Sequence, residues 1–415
     1  MLRVRAKKIA LEPVEGNEFS LRFKVLDLEV SLLRVVEQIL AETGLEGGAA
    51  VADRAMELMS LGAVFVGIPH KGMNHTNWTR SSDLMAGDPG SSPEALSVPY
   101  GQYVRVHPHP KRYTEACNCD WPSRVVACDD SYLLLDKPAG LPCMRHESNA
   151  VEELAACAGR GLGMPELEVC HRLDQWTTGI VVLSRTKDAN RAFKRSLEDR
   201  ADGLIKTYRA LTYAPVPLGP REHHMYDGPF NRAASVLGGG DLPPRGPRLL
   251  SEHPHTRWRR CALTVHECRE HVGAIEWYGR HLAQRDPALG SVRVGTPWLR
   301  AAPASPSGSG SAPAEGAAQD AAVPVRLYES TIELHTGRTH QIRAQLAALG
   351  CPLVGDGMYA PIAGLVVGAS GVVEDPSAVA LVEGLPGMEG RIGLHAWRLT
   401  WRGQTYTAPP EWGDS

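Results

Sequence analysis

Apolar residues at Leu33, Val36, Ile39 and Leu40 recur at the spacing of one helical face, and Gly44 stands where that helix should end. Val51 to Leu61 reads as a second helix, with Gly62 placed to stop it. The runs AVFVG (63–67) and QYVRV (102–106) read as short strands around a polar loop. From Val125 the pattern changes. VVAC-DDS-YLLLDKP predicts a hairpin turning at Asp129 to Ser131, and GIVVLS (179–184) predicts a buried strand. Lys187 to Asp199 predicts an amphipathic helix with Ala189, Ala192, Phe193 and Leu197 on one side. The runs 206–213, 261–268 and 326–337 predict further strands. Strands separated by both turns and helices imply an α+β fold with a mixed, largely antiparallel sheet. A small α/β unit at 1–112 precedes it, and the larger unit spans 113–405. Of residues 301–324, twenty of twenty-four are Ala, Pro, Ser or Gly, too little apolar surface to offset ordering entropy. The region of about 279–324 is therefore expected to be a flexible surface insertion.

Composition narrows the function classes. No run of about 18 apolar residues is present, so no membrane span is expected. The opening MLRVRAKKIALEPVEG lacks the apolar core of a secretory signal. Nine cysteines without a CxxC pair fit reduced thiols better than a disulfide framework, and Cys117 and Cys119 are expected to be free. The formal net charge of −3 is not that of a strongly basic nucleic-acid binder. It is uneven, however: Arg185 to Arg209 holds eight Lys/Arg against four Asp/Glu, and 255–260 reads HTRWRR. These are either a local basic face or solvated surface. His107 and His109 lack the further ligands a metal site needs, so no metal is expected. No HxE with PCxxC is present, which argues against a zinc deaminase, and no strand-to-helix serine elbow is visible.

Four segments carry candidate chemistry. They are DKPAG (136–140), HRLDQWTTGIVVLSRT (171–186), KTYRAL (206–211) and HTGRTHQIRAQLAALGCPLVGDGMYA (335–360). The second places Asp174 at a loop–strand junction, where an acid is held rigidly yet stays reachable. In the fourth, Thr339 is expected to cap a helix whose apolar stripe is Ile342, Leu346 and Leu349, with Gly350 ending it. Arg338, His340 and Arg343 then cluster at the first turn, a setting for a phosphate or a carboxylate. Asp174 and one of these arginines form either an ordinary buried ion pair or a catalytic one. A nuclease or glycosidase would need a second acid; Asp136 and Asp356 are available but sit in turn segments.

Taken in order, DKPAG, HRLD with TTG (171–179), K-x-Y (206–208), TGRTHQIR (336–343), GCPLVGD (350–356) and LHAWRL (394–399) resemble the RluA-type RNA pseudouridine synthases over roughly 121–405. YVRVHPHPKR (103–112) is similar to a segment in the family's plant chloroplast branch. The resemblance implies a pseudouridine synthase catalytic domain, preceded by a unit similar to the S4-type RNA-binding domain. It implies a cofactor-free isomerase that detaches a uracil from ribose and rejoins it through carbon, with RNA as partner and no membrane. It implies Asp174 as catalytic aspartate, Arg343 as the arginine that pairs with it, and Tyr208 as the aromatic stacked on the base. Arg172 would fill the gap left by the everted nucleotide. His171, Arg338 and His340 are the remaining substrate-binding candidates. Thr178 stands where the family often has Ser. The location implied is the chloroplast, otherwise mitochondrial or cytoplasmic, and a monomer is favoured. The alternative is a catalytically silent RNA-binding protein on the same fold.

Overall fold

The computed structural model of the chain describes residues 8–413 apart from 18–19, 46–49, 70–75, 87–91, 94, 200–201, 227–245, 257, 273, 275–276, 278–325 and 371–389. The expected insertion at about 279–324 lies outside the described residues. In chain order the elements begin with β1 (Leu11–Asn17), β2 (Ser20–Val25), β3 (Val30–Ser31), α1 (Leu32–Glu42) and α2 (Ala50–Ser60). There follow β4 (Val64–Pro69), β5 (Thr76–Arg80), α3 (Ser81–Ala86), β6 (Ser97–Val98), β7 (Tyr103–Val106) and α4 (Thr114–Cys117). Next come β8 (Val125–Cys128), β9 (Tyr132–Lys137), α5 (Leu154–Leu162), β10 (Glu168–Val169), β11 (Thr178–Ser184), α6 (Lys187–Asp199) and β12 (Ile205–Thr212). The rest are β13 (Gly219–Tyr226), β14 (Leu250–Ser251), β15 (Trp258–Glu270), β16 (Tyr328–Leu334), α7 (Gln341–Ala348), β17 (Leu394–Trp401) and β18 (Gln404–Thr407). The chain divides into two units, Met1–Pro122 with Leu141–Val169, and Ser123–Gly140 with Cys170–Ser415.

The first unit has an antiparallel sheet in the order β1-β2-β7-β4-β5. Alternation sends Val64, Val66, Val104 and Val106 to one face, where they pack with Val36, Ile39, Leu40 and Leu58 of α1 and α2. The other face carries Arg22, Phe65, Trp78, Arg80, Tyr103 and Arg105, by the cross-strand pairs of β2, β7, β4 and β5. The guanidinium of Arg105 lies 4.2 Å from the Phe65 ring centre and 4.8 Å from that of Trp78, and Arg80 lies 4.6 Å from Phe65. Such stacking satisfies both a flat cation and an aromatic face.

In this unit Cys117 and Cys157 form a disulfide, which corrects the expectation of reduced thiols at Cys117. Packing of α4 against α5 brings their Cα atoms to 5.2 Å, within bridging distance, although forty residues separate them in sequence. Nothing in that spacing announces the bond.

The second unit is built on a sheet in the order β14-β13-β15-β16-β12-β17-β11-β9-β8, with β18 beside β17. Among the strands in that order β11 and β17 pair in parallel and the other neighbours antiparallel, so the sheet is mixed and largely antiparallel, as expected. All seven residues of β11 are buried, which is why its sequence reads as a continuous apolar run. Phe193 of α6 is fully buried against Tyr132 and Trp401. Burying such a side chain stabilises by about 1.5–3 kcal/mol. Between β12 and β17 the register slips opposite Tyr208, from Thr207↔Arg398 to Arg209↔His395. A bulge of this kind re-aims the neighbouring side chains.

Candidate active site

The loop that carries Asp174 is tied down from below. Lys137, in DKPAG, is fully buried, and its ammonium donates to the carbonyls of Pro138 and Gln175 at 2.9 Å each. The Gly140 N–H donates to the same Gln175 carbonyl at 2.9 Å, and Thr177 N–H closes a turn onto the Asp174 carbonyl. The chain then enters β11 through Gly179, whose φ is +102°. A Cβ there would sit 2.4 Å from the Ala396 carbonyl oxygen, so the close parallel pairing with β17 demands glycine. Thr178 spends its hydroxyl on His395 Nδ1 at 2.8 Å. The other ring nitrogen, Nε2, donates to the Ala408 carbonyl, and burial holds this histidine down at about 4.

Opposite stands α7. Its N-cap is His340, in the left-handed conformation at φ +58°, with no side-chain cap. Thr339 is therefore not the cap. Gln341 instead braces the loop before the helix: its side-chain oxygen accepts from Thr336 Oγ1 and from the Arg338 N–H. Residues Gln341 to Ala347 are all buried, so the expected single apolar stripe is instead a helix buried all round.

Arg343, on this helix, meets two carboxylates. Its Nε and Nη2 donate to both oxygens of Asp356 at 2.7 and 2.9 Å, a bidentate pair. Its Nη1 reaches Asp174 Oδ2 at 3.5 Å. Burial alone would favour the neutral guanidine. Hydrogen bonding and charge from Asp356, with Asp174 adding, reverse this and hold Arg343 above its ordinary value. Tyr359, fully buried, places its ring 5.1 Å from the Arg343 guanidinium. Its hydroxyl accepts from the Arg248 N–H and lies 3.2 Å from His340 Nδ1. The other ring nitrogen of His340, Nε2, faces Asp174 Oδ1, 3.9 Å away. Burial lowers His340 below the ordinary histidine value, against the opposing pull of the Asp174 carboxylate.

One cavity of about 580 Å³ gathers the candidates: Asp174, Tyr208, Arg343, Arg172, His171, Arg338 and His340 all line it. The size suits one nucleotide-sized group. His171 commits Nε2 to the Val182 N–H at 3.2 Å and stacks on Phe193, with burial, then the Lys206 charge, holding it well below its usual pKa. Three residues without an expected role also matter. Asp356 and Tyr359 belong to the fourth segment, and the need of a buried arginine for a carboxylate was the available signal. Lys206, two positions before Tyr208 and so on the same strand face, lines the cavity too. Burial lowers it to about 8, with Cys170 opposing.

The chain matches, over residues 131–348, a family model described as RNA pseudouridylate synthase. It is 36% identical to "RNA pseudouridine synthase 6, chloroplastic" of Arabidopsis thaliana over 264 residues, 63% of this chain and 46% of that protein. The Oryza sativa subsp. japonica protein of the same name is 34% identical over 260 residues, 62% of this chain and 44% of that one. "Pseudouridylate synthase RPUSD4, mitochondrial" of Xenopus tropicalis is 29% identical over 291 residues, 67% of this chain and 72% of that one. The chain spans a little under half the length of the two plant relatives. The family match covers more than half of this chain and includes Asp174, Tyr208 and Arg343; the chain belongs to the RNA pseudouridylate synthase family.

Proposed function

We propose that this chain isomerises uridine to pseudouridine within RNA. The observation that carries the proposal is the carboxylate of Asp174, held 3.5 Å from Arg343 in a cavity of about 580 Å³ that Tyr208 also lines. The reaction breaks the bond from uracil N1 to ribose C1′ and forms one from C5 to C1′. C5 loses a proton and N1 gains one, so atoms balance with no added reagent. C1′ is shielded in a stacked strand, so the nucleotide turns out into the cavity and Arg172 takes its place. Asp174 then acts at the sugar or the base; attack on C1′, attack on C6 and removal of a C2′ proton all use a carboxylate at this position. Arg343 aims it. Tyr208 offers a flat shelf on which the freed uracil turns.

The first unit contributes RNA affinity through the exposed cations around its sheet, the Arg105 guanidinium itself being spent on Glu147, Phe65 and Trp78. Cations interleaved with aromatics suit a nucleic-acid strand, as in an S4-like role. RNA is the partner, and a plastid is the location, with the mitochondrion second. The test uses RNA labelled with tritium at uridine C5. The purified chain should release tritium to water. Asp174→Asn should keep its melting temperature and RNA affinity while releasing none. Release at the unmodified rate would remove Asp174 from the chemistry, and no release by the unmodified chain would favour a silent RNA-binding protein.

A further inference from the structure

A second, smaller cavity adjoins the first. It measures about 170 Å³ and is lined by Met225, Arg248, Arg259, Gly337, Arg338 and Thr339. Three of its six described lining residues are arginines. Gly337, Arg338 and Thr339 line both cavities, so the two meet at that loop. The arginines come from three separate elements. Arg248 precedes β14, Arg259 lies on β15 opposite Met225, and Arg338 lies in the loop before α7. Arg248 is fixed through its backbone, since its N–H donates to the Tyr359 hydroxyl at 2.8 Å. Tyr359 in turn borders His340 and Arg343. The small cavity is thus fastened to the residues around Asp174.

We infer that this cavity holds a backbone phosphate of the RNA strand flanking the everted uridine. The inference rests on the function proposed above and names where that substrate is gripped. Guanidiniums are donors only, in a fork that matches paired phosphate oxygens, and the Thr339 hydroxyl adds a fourth donor group. A phosphate contact of this kind fixes register without reading sequence. Neither Arg248 nor Arg259 lies in the motifs that carry the family resemblance.

The test is equilibrium RNA binding, which does not depend on turnover. Arg248→Ala and Arg259→Ala should each weaken binding, and each should flatten the plot of log Kd against log salt by about 0.7–1. Arg→Lys at either position should restore most of the slope. A single uncharged methylphosphonate linkage is then moved along an oligonucleotide beside its target uridine. One position should weaken binding to the unmodified chain and leave the two alanine variants indifferent. Unchanged slopes in both variants, or a methylphosphonate penalty that the variants share in full, would overturn the inference. Inorganic phosphate at matched ionic strength should displace RNA from the unmodified chain more than from the variants; phosphate held by the pocket without any displacement of RNA would overturn the strand assignment. Loss of tritium release with these binding results intact would instead fault the proposed reaction.

Discussion

Arg343 is shared unequally between two acids, and the inequality separates stability from chemistry. Asp356, with no exposed side-chain surface, takes the bidentate bonds; Asp174, 16% exposed, takes the 3.5 Å contact. From the sequence alone, Arg343→Met would be expected to lower activity in a stable fold. The structure changes that expectation, because the substitution strands the Asp356 carboxylate without its partner. Removing one member of a buried pair costs about 3–5 kcal/mol. Urea unfolding should show a loss of that order in Arg343→Met and much of it recovered in Arg343→Met with Asp356→Leu, with activity absent from both. Equal stability of Arg343→Met and the unmodified chain would contradict the assigned pairing. Lys206 gives a pH signature. Its folded value of about 8 lies below the unfolded 10.5, so between them the unfolded chain binds the proton that the native chain releases. This contribution to stability therefore rises with pH across that window. The urea midpoint of the unmodified chain, measured relative to Lys206→Met, should climb from pH 7.5 to pH 10.5; a flat difference would mean the ammonium is well solvated.

At the scale of elements, two loops aim the site and one sheet holds them. DKPAG looks like a plain turn in sequence, yet Lys137 anchors the Asp174 loop through two carbonyls. Long periodic elements were legible: α6 spans Lys187–Asp199 as its apolar spacing predicts, and β8 and β9 form the hairpin around Asp129 to Ser131. Local chemistry was less so. Thr339 satisfies the cap preference, but His340 takes the N-cap position, and Gln341 ties the preceding loop through Thr336, Arg338, Gln345 and the Ala262 carbonyl together, which no local rule counts. The hairpin of β1 and β2 and the strand β13, between β14 and β15, were not predicted. Gly179→Ala tests the sheet. A non-glycine residue at such a φ costs on the order of 1–3 kcal/mol, before the clash with Ala396. A melting temperature within a degree of the unmodified chain would show that β11 and β17 do not approach so closely.

Across the whole molecule, the candidate residues lie far apart in sequence, from His171 to Arg343, and meet at one cavity of the second unit. Their meeting was legible only through the family resemblance, since spacing alone left an ordinary ion pair and a catalytic one equally open. The Asp356 clamp lies in the same segment as Arg343 and had one signal, a buried arginine's need for a carboxylate; the basic pocket of Arg248 and Arg259 was not legible, because it depends on packing between distant strands and loops. The disulfide of Cys117 and Cys157 was hidden for the same reason. The most direct measurement is site-resolved pseudouridine mapping of RNA from cells lacking this gene, complemented with the unmodified chain or with Asp174→Asn. At least one pseudouridine should vanish with the gene, return with the unmodified chain and stay absent with Asp174→Asn. Its return with Asp174→Asn would contradict the account.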